Sequence, residues 1–252
     1  YLIFRGENML YKAREGQVSY GEPIGILMLD TYTSFIPGDV GNASTYDFPV
    51  RYETVEALTV KRIFSKDKSA YNSLYKAAQK LQSQGVRAIT GDCGFMAIFQ
   101  NKLTEELDVP IFLSSMLQVP FISNLISKNA KIGVLSANGT SLNDKKLLKE
   151  VGINNPDKLV IKGLENKKNF NKSIIEEVGI LDPAKIEKDV VEKAEEMVKN
   201  HPDIEIILQE CSVLPPYSKA VQKATKLPVF DYITMINYVY SAVVQKNYQG
   251  IY

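Results

Sequence analysis

The chain has 252 residues, of which 45% are hydrophobic and 23% are charged, a balance typical of a globular protein with a sizeable core. Thirty basic and 29 acidic side chains leave a formal net charge of +1, which argues against a nucleic-acid-binding surface. No apolar run is long enough to span a membrane, and two cysteines do not make a disulfide framework. We therefore expect a cytoplasmic protein with neither a membrane nor a nucleic-acid partner.

The first residues carry no periodic pattern. The chain begins with Tyr1, and Met9 is a candidate natural start, in which case residues 1–8 would be a remnant ahead of the protein's own sequence. We expect no secretory leader, because this stretch lacks the basic, apolar and small-residue order of one.

Seven apolar segments rich in β-branched residues predict strands. They are continuous apolar runs rather than alternating ones, which is typical of strands buried on both faces of a parallel sheet. In chain order they are IGILMLD (24–30), VRAIT (86–90), PIFL (110–113), KIGVLSA (131–137), KLVIKG (158–163), IEIILQE (204–210) and PVFDY (228–232).

Helical patterns lie between several of these strands. Within 68–84 the apolar residues fall at steps of three and four, and Gly85 follows as a stop signal. A second apolar stripe runs through 186–199. The alternation of strand and helix predicts an α/β fold with right-handed crossovers.

The segment 31–53 departs from this alternation. It is rich in Gly, Pro, Asn, Asp and Thr, and it is long for a simple connection. Long loops inside compact domains are usually functional or disordered, and the aromatic content here argues against disorder. The segment is therefore predicted to be a binding loop that follows the first strand.

The two cysteines occupy equivalent places. Cys93 follows the strand 86–90 after a Gly-Asp link, and Cys211 directly follows the strand 204–210. Ligands bind at the carboxyl ends of strands in open α/β sheets. Each cysteine also precedes a predicted helix start, whose free N–H groups stabilise a thiolate. This shared context indicates a functional pair rather than two buried packing residues.

The segments TGDCGFM and QECSVLPPYS resemble the paired cysteine motifs of the aspartate/glutamate racemase superfamily, which includes amino-acid racemases that use no pyridoxal phosphate and hydantoin racemases. IGILMLD, IGVLSANGTSL and PVFDY agree with this resemblance, which covers most of the chain from about Gly21. It implies two similar parallel-sheet α/β halves related by pseudo-symmetry, with the active site in the cleft between them. We expect the first half to span 1–113 and to take back 228–252, and the second half to span 114–227, each half carrying one cysteine.

The resemblance implies a cofactor-independent racemase, an isomerase of amino-acid metabolism that acts on an acidic amino acid such as aspartate or glutamate. One cysteine, as a thiolate, would remove the α-proton from one face of the substrate. The other, as a thiol, would return a proton to the opposite face. The resemblance also implies that the chain forms a homodimer. The expected binding partner is a small carboxylate substrate, an amino acid.

Several backbone and side-chain groups are candidates for binding that substrate. Backbone N–H groups beside the cysteines could stabilise charge on its carboxylate. The candidates are Gly94, Phe95, Ser212 and Val213. The superfamily also carries substrate-contacting hydroxyls in a middle loop, and the matching residues here are Asn138, Gly139 and Thr140.

Two charged residues are further candidates. Asp30 ends the first strand and could orient a thiol or the substrate amine, or it could only cap a turn. Arg51, in the long loop, is the first candidate for the second carboxylate of an acidic substrate, with an ordinary surface arginine as the competing interpretation.

Glu210 departs from the superfamily, whose members commonly have a small residue before the second cysteine. A carboxylate that points inward there would raise the pKa of the thiol, whereas one that points away would leave the chemistry unchanged. Other functions stay open: a hydantoin racemase, a maleate isomerase-like enzyme that uses one thiolate as a nucleophile, or a catalytically inactive carboxylate-binding module. Arylmalonate decarboxylase-like chemistry is disfavoured, because it typically needs one cysteine.

The remaining residue types restrict the chemistry further. The single histidine, His201, lies in a polar turn, so histidine-based catalysis and a His-rich metal site are not expected. Two cysteines cannot supply a tetrahedral zinc site, and no Gly-rich nucleotide-binding motif is found. The expectation is a site with no metal and no cofactor.

Overall fold

The computed structural model describes residues 12–13 and 15–251, and the prediction about Met9 and residues 1–8 lies outside them. Within the described residues the strands form two four-stranded parallel sheets, ordered β2-β1-β3-β4 and β6-β5-β7-β8. Their bounds are β1 Ile24–Met28, β2 Val50–Thr54, β3 Ala88–Gly91, β4 Ile111–Phe112, β5 Lys131–Ser136, β6 Leu159–Gly163, β7 Ile204–Gln209 and β8 Val229–Phe230.

Helices and helical turns connect the strands. The α-helices of the described residues are α1 Val60–Phe64, α2 Tyr71–Ser83, α3 Gln100–Glu106, α4 Val119–Ile122, α5 Gly139–Leu142, α6 Lys145–Glu150, α7 Lys168–Phe170, α8 Pro183–Asn200, α9 Ser218–Thr225 and α10 Tyr232–Val243. Short 3₁₀ turns span Ala43–Thr45, Lys68–Ala70, Gly94–Phe99, Ser115–Gln118, Pro156–Lys158 and Pro215–Tyr217, and a π-helical turn spans Asn171–Ile175. In the described part of the chain, none of the helices combines the length and the apolar character needed to cross a bilayer.

The prediction of an α/β fold with two similar halves is confirmed, because the two sheets share one strand order. Their registers also correspond. Leu27 lies opposite Gly91 in the first sheet, and Leu135 lies opposite Gln209 in the second. The strands β3 and β7 are therefore equivalent, and so are the residues that follow them.

Each of the seven predicted strand segments overlaps with an observed strand, but β2 was missed. The segment 31–53 was predicted to be entirely a loop, whereas Val50–Thr54 pairs in parallel with β1 at the sheet edge. The side chains of β2 are half-buried or exposed, so this strand has no continuous apolar run. The prediction missed β2 because a strand at the edge of the sheet does not need the continuous apolar run of a central strand, which is buried on both faces.

Both predicted long helices are present. The pattern 68–84 corresponds to α2, preceded by one 3₁₀ turn, and 186–199 corresponds to α8. The start of α8 is set by Asp182, whose side chain accepts a hydrogen bond from the N–H of Lys185. Both helices bury one apolar face against their sheet, which places the strand ends, and the residues after them, in fixed positions.

The C-terminal segment connects the two halves. β8 pairs with β7 in the second sheet, whereas α10 packs on the first half, where Tyr232 and Ile236 join a buried cluster with Ile24 and Ile26. The domain boundaries at 113/114 and 227/228 stay predictions. A larger apolar cluster includes Leu27 of β1 and Leu208 of β7, so the two halves share buried surface.

Candidate active site

A cavity lies where the carboxyl ends of β1, β3, β5 and β7 come together. With its mouth included, it holds about 480 Å³ of empty space. The lining residues are Leu29, Thr31, Thr33, Phe35, Val60, Phe64, Asp92, Cys93, Gly94, Phe95, Ala137, Ile174, Glu210, Cys211, Ser212 and Val213. Both halves of the fold thus contribute to one site, and each brings a cysteine to it.

Both thiols line this cavity. Cys93 is 9% exposed, and Cys211 is partly exposed. The backbone N–H groups of Phe95 and Val213 lower the pKa of the Cys93 and Cys211 thiols, respectively. Burial nevertheless raises the pKa of both thiols above the ordinary 9.0, and the nearby carboxyl groups raise it further.

A buried carboxyl group precedes each cysteine. Asp92 and Glu210 occupy equivalent positions, because their N–H groups donate to the carbonyls of Leu27 (2.9 Å) and Leu135 (2.7 Å). Burial raises the pKa of each carboxyl group to about 7. The sequence TGDC and the sequence LQEC therefore place the same kind of group at the same point of the two halves.

Glu210 reaches across the cleft. Its Oε2 accepts a hydrogen bond of 2.8 Å from the hydroxyl of Ser136, whereas Oε1 has no hydrogen-bond partner among the described residues. A methyl group on Gly94, in the opposite half, would overlap with this Oε1. The inward orientation that the sequence left open is thus the one observed, and Gly94 makes room for the carboxyl group.

Asp92, shorter by one methylene, is held within its own half. Its Oδ1 accepts a hydrogen bond of 3.0 Å from the N–H of Leu29. Its carbonyl accepts a hydrogen bond from the hydroxyl of Ser212, the residue that takes the place of Gly94 in the second half. The two carboxyl groups therefore differ in reach although their backbone positions match.

The loop after β1 passes over the cavity mouth and is tied to the second half. Glu177 accepts hydrogen bonds from the hydroxyl of Thr31 and from the N–H of Tyr32, the latter at 2.9 Å. Thr33 and Phe35 of the same loop line the cavity. This contact holds the predicted binding loop against the segment that carries Ile174.

The structure places some of the predicted binding residues in the cavity wall. Gly94, Phe95, Ser212 and Val213 all line it. The N–H groups of Phe95 and Val213 also favour the thiolate forms of Cys93 and Cys211. Their roles toward a substrate stay predictions.

The predicted middle loop does not line the cavity. Asn138 caps α5 by accepting a hydrogen bond of 2.9 Å from the N–H of Ser141. The N–H of Gly139 and the hydroxyl of Thr140 donate to Glu165, at 3.2 and 3.4 Å. Their polar groups serve the start of a helix, and Ala137 is the residue of this segment that lines the cavity, so a role of these three residues at the substrate stays a prediction.

Asp30 and Arg51 also lie away from the cavity lining. Asp30 is exposed, and its N–H donates to the carbonyl of Leu58. Arg51 is on β2 beside Gly25, near the amino end of the sheet, and it forms an ion pair with Glu22. The cavity is at the other end of the strands, so the structure does not bring Arg51 to it, and its role as a carboxylate clamp stays a prediction without support from this geometry.

The charged side chains among the described residues that line the cavity are acidic. Among the described residues that line it, none is Lys, Arg or His, whereas Asp92 and Glu210 both are carboxylic acids. A third buried carboxyl group, Asp39, lies near enough for the charge of Asp92 to contribute to its raised pKa, although burial is the main cause. Sequence reasoning missed Asp92 and Asp39; the signal for Asp92 was an acidic residue directly before each cysteine.

The described residues include no group of three or more His, Cys, Asp or Glu side chains arranged to hold a metal ion.

No protein-family model matches the chain. Several curated proteins, however, match the chain in sequence. The chain is 34% identical over 221 residues to a dimethylsulfoniopropionate lyase of Durusdinium sp. clade D, covering 85% of this chain and 73% of that protein. The chain belongs to the dimethylsulfoniopropionate lyase family.

Further members come from Emiliania huxleyi. Dimethylsulfoniopropionate lyase 3 is 32% identical over 237 residues and lyase 7 is 31% identical over 237 residues, covering 90% of this chain in both cases. The chain spans 61% and 69% of the lengths of these two relatives.

Solved structures with the same fold come from the aspartate/glutamate racemase superfamily. Glutamate racemase from Bacillus anthracis is 15% identical, with a TM-score of 0.55 over 88% of this chain and 82% of that chain. Unliganded arylmalonate decarboxylase is 14% identical, with a TM-score of 0.54 over 90% of this chain and 94% of that chain. At these identities the likeness shows the fold alone.

The resemblance to this superfamily is therefore supported at the level of fold, but the function drawn from it is wrong. The prediction of an amino-acid racemase, an isomerase of amino-acid metabolism, is overturned by the lyase relatives, which are 26–34% identical over 84–90% of the chain. The physical reason is that two facing thiols in one cleft are compatible with more than one reaction that begins with loss of a proton.

Proposed function

We propose that this chain cleaves dimethylsulfoniopropionate by β-elimination, with a cysteine thiolate as the base. The observation that carries the proposal is a cavity that holds two thiols and two buried carboxyl groups but, among the described lining residues, no basic side chain. The named activity of the relatives, at 34% identity for the Durusdinium protein, supports it independently.

The substrate is a zwitterion whose dimethylsulfonium group and carboxylate are separated by two methylene carbons. The thiolate takes a proton from the carbon beside the carboxylate, and the electron pair of that C–H bond forms the carbon–carbon double bond. The C–S bond breaks, and its electron pair neutralises the sulfonium. The products are acrylate and dimethyl sulfide, and the proton stays on the cysteine until solvent removes it.

The cavity wall suits a sulfonium cation. Phe35, Phe64 and Phe95 line it, and the rings of Phe64 and Phe95 meet edge to face at 4.9 Å. Aromatic faces attract cations through their quadrupole, most strongly where water is excluded. The aromatic wall thus stabilises the cation in place of the water that surrounds it in solution.

The other end of the substrate needs donors for its carboxylate. The backbone N–H group of Ser212, beside Cys211, is the candidate, because the carboxyl group of Glu210 lies against Gly94. Because dimethyl sulfide leaves as a neutral molecule, the reaction needs a base but no acid at the leaving group. The second thiol is then free to remain protonated. Assembly of the chain as a homodimer stays a prediction.

Headspace gas chromatography tests the proposal directly. The purified chain is incubated with dimethylsulfoniopropionate, and dimethyl sulfide is followed together with acrylate by proton NMR. We expect stoichiometric release of both products, and we expect loss of the base in Cys93→Ser or Cys211→Ser to lower kcat/KM by a factor on the order of 10²–10⁴. Absence of product with the folded wild-type chain, or full activity in both variants, would refute the proposal.

A further inference from the structure

We propose that Glu210 is the specificity-determining residue for the cationic end of the substrate, with its free Oε1 in contact with the sulfonium group. The inference rests on the proposed function, because that function supplies the cation. It assigns to Glu210 a role apart from the two cysteines, since one cysteine is the base that takes the proton and the other, as a neutral thiol, offers no charge to the sulfonium.

The position of the carboxyl group is the first support. Glu210 is 0% exposed to solvent, and it lines the cavity between the two cysteines' strand ends. Ser136 occupies Oε2, so the side chain is held in one orientation, while Oε1 is buried without a partner among the described residues. A buried polar atom without a partner is costly, and such an atom at a cavity wall is explained by a ligand that supplies the partner.

The charge of the surroundings is the second support. A buried carboxylate normally pairs with a cation, and no basic side chain of the described residues lines this cavity. Burial raises the pKa of Glu210 to about 7, so the group is largely ionised only on the alkaline side of neutrality unless a cation is bound beside it. A sulfonium ion would provide that cation, whereas the carboxylate end of the substrate would be repelled by the ionised group.

The other two buried carboxyl groups are less suited to this role. Asp92 commits Oδ1 to the N–H of Leu29 within its own half. Asp39 accepts a hydrogen bond of 3.0 Å from the N–H of Gly41 and does not line the cavity. Glu210 alone among the three extends across the cleft to the opposite half, where Gly94 leaves space for it.

Two non-reacting probes with the same heavy-atom skeleton separate charge from shape. 3-(Dimethylammonio)propionate carries a cation where the substrate has its sulfonium, and 4-methylpentanoate has a neutral carbon at that place. Their dissociation constants are measured by calorimetry at pH 8. We expect the wild-type chain to bind the ammonium probe roughly tenfold or more tightly than its neutral counterpart. We expect Glu210→Gln to bring the ratio of the two constants to about one.

Two further variants serve as controls. Glu205→Gln alters an exposed carboxylate on β7, the strand that Glu210 follows; this carboxylate accepts hydrogen bonds from Ser127, and the variant should keep the wild-type ratio. Asp92→Asn removes the other cavity carboxyl group and should keep most of the preference for the cation. Folding of each variant is checked by thermal denaturation. If Glu210→Gln does not fold, Gly94→Ala, whose methyl group would displace Oε1, is measured in its place.

The outcomes are distinct. Equal affinity of the wild-type chain for both probes overturns the inference, and so does a preference that survives in Glu210→Gln or that disappears in Asp92→Asn instead. Release of dimethyl sulfide is measured on the same preparations. Its absence refutes the proposed function, whereas the probe ratio is read at equilibrium without turnover, so the two failures are told apart.

Discussion

Replacement of Glu210 by Gln should remove a pH-dependent part of the free energy of unfolding. Burial raises the pKa of this carboxyl group to about 7 in the folded chain, against an ordinary 4.5. Between these two values the folded state keeps a proton that the unfolded state has lost. A rise in pH therefore favours unfolding. The contribution of Glu210 to the free energy of unfolding is fully present below about pH 4.5 and is lost as the pH rises through about 7.

The magnitude follows from the difference between the two pKa values. At about 1.4 kcal/mol per pH unit, the full effect on the free energy of unfolding is about 3.4 kcal/mol. About 2.5 kcal/mol of this falls between pH 5 and pH 8, because the carboxyl group of the unfolded state is already mostly ionised at pH 5 and part of the effect lies below that pH. Gln is uncharged over the whole range and can still accept a hydrogen bond from Ser136, so Glu210→Gln should lose this part of the pH dependence.

Urea unfolding at pH 5, 6, 7 and 8 measures the effect. The wild-type chain should become less stable as pH rises, and Glu210→Gln should show a slope reduced by about 2.5 kcal/mol over the range. Asp92, whose pKa is also raised to about 7, should keep the remaining slope in that variant. Glu205→Gln is the control on the same strand. Identical pH dependence in wild type and Glu210→Gln would refute the assignment of a buried, protonated carboxyl group at this position.

Three further predictions concern the cavity and its mouth. Since burial raises the pKa of both thiols above 9.0, kcat/KM for dimethyl sulfide release should still be rising at about pH 8.5, and a plateau already at pH 7 would contradict this. Gly94→Ala should lower the free energy of unfolding by about 1–3 kcal/mol, because its methyl group overlaps with Glu210, whereas Gly250→Ala, where nothing lies within 4 Å, should leave the melting temperature unchanged. Glu177→Gln weakens the acceptor that holds Thr31, so KM should rise about threefold to tenfold and proteolysis of the loop should become faster; an unchanged KM would show that the contact does not order the loop.

The sequence was sufficient to predict the sheet architecture and the position of the cysteines. The buried strands are continuous apolar runs, and a residue directly after such a run must lie at the carboxyl edge of a parallel sheet. For that reason Cys93 and Cys211 were placed correctly in one cleft. The edge strand β2 was missed, because its half-exposed residues lack this pattern.

The binding residues were harder to predict, since their positions depend on contacts between distant parts of the chain. Arg51 was chosen because an acidic substrate would require a cation, but it lies near the amino end of its strand, away from the cavity, and Glu22 is its partner. Glu210 was recognised as unusual, yet its orientation depends on Ser136 and Gly94, which come from other strands. No local sequence pattern predicts such an arrangement, because it depends on residues that are distant in the chain.

The two halves of the site are equivalent in backbone but not in chemistry, and this difference bears on the reaction. Racemisation makes the same demand on both faces of the substrate, because the thiols exchange roles when the reaction reverses. Elimination makes one demand for a base and a separate demand for a site that holds the leaving group. Where the first half has Asp92, the second has the longer Glu210; where the second has Ser212, the first has Gly94. A carboxyl group from one half thus occupies space left free by the other, and this asymmetry is the one on which the proposed contact between Glu210 and the sulfonium rests.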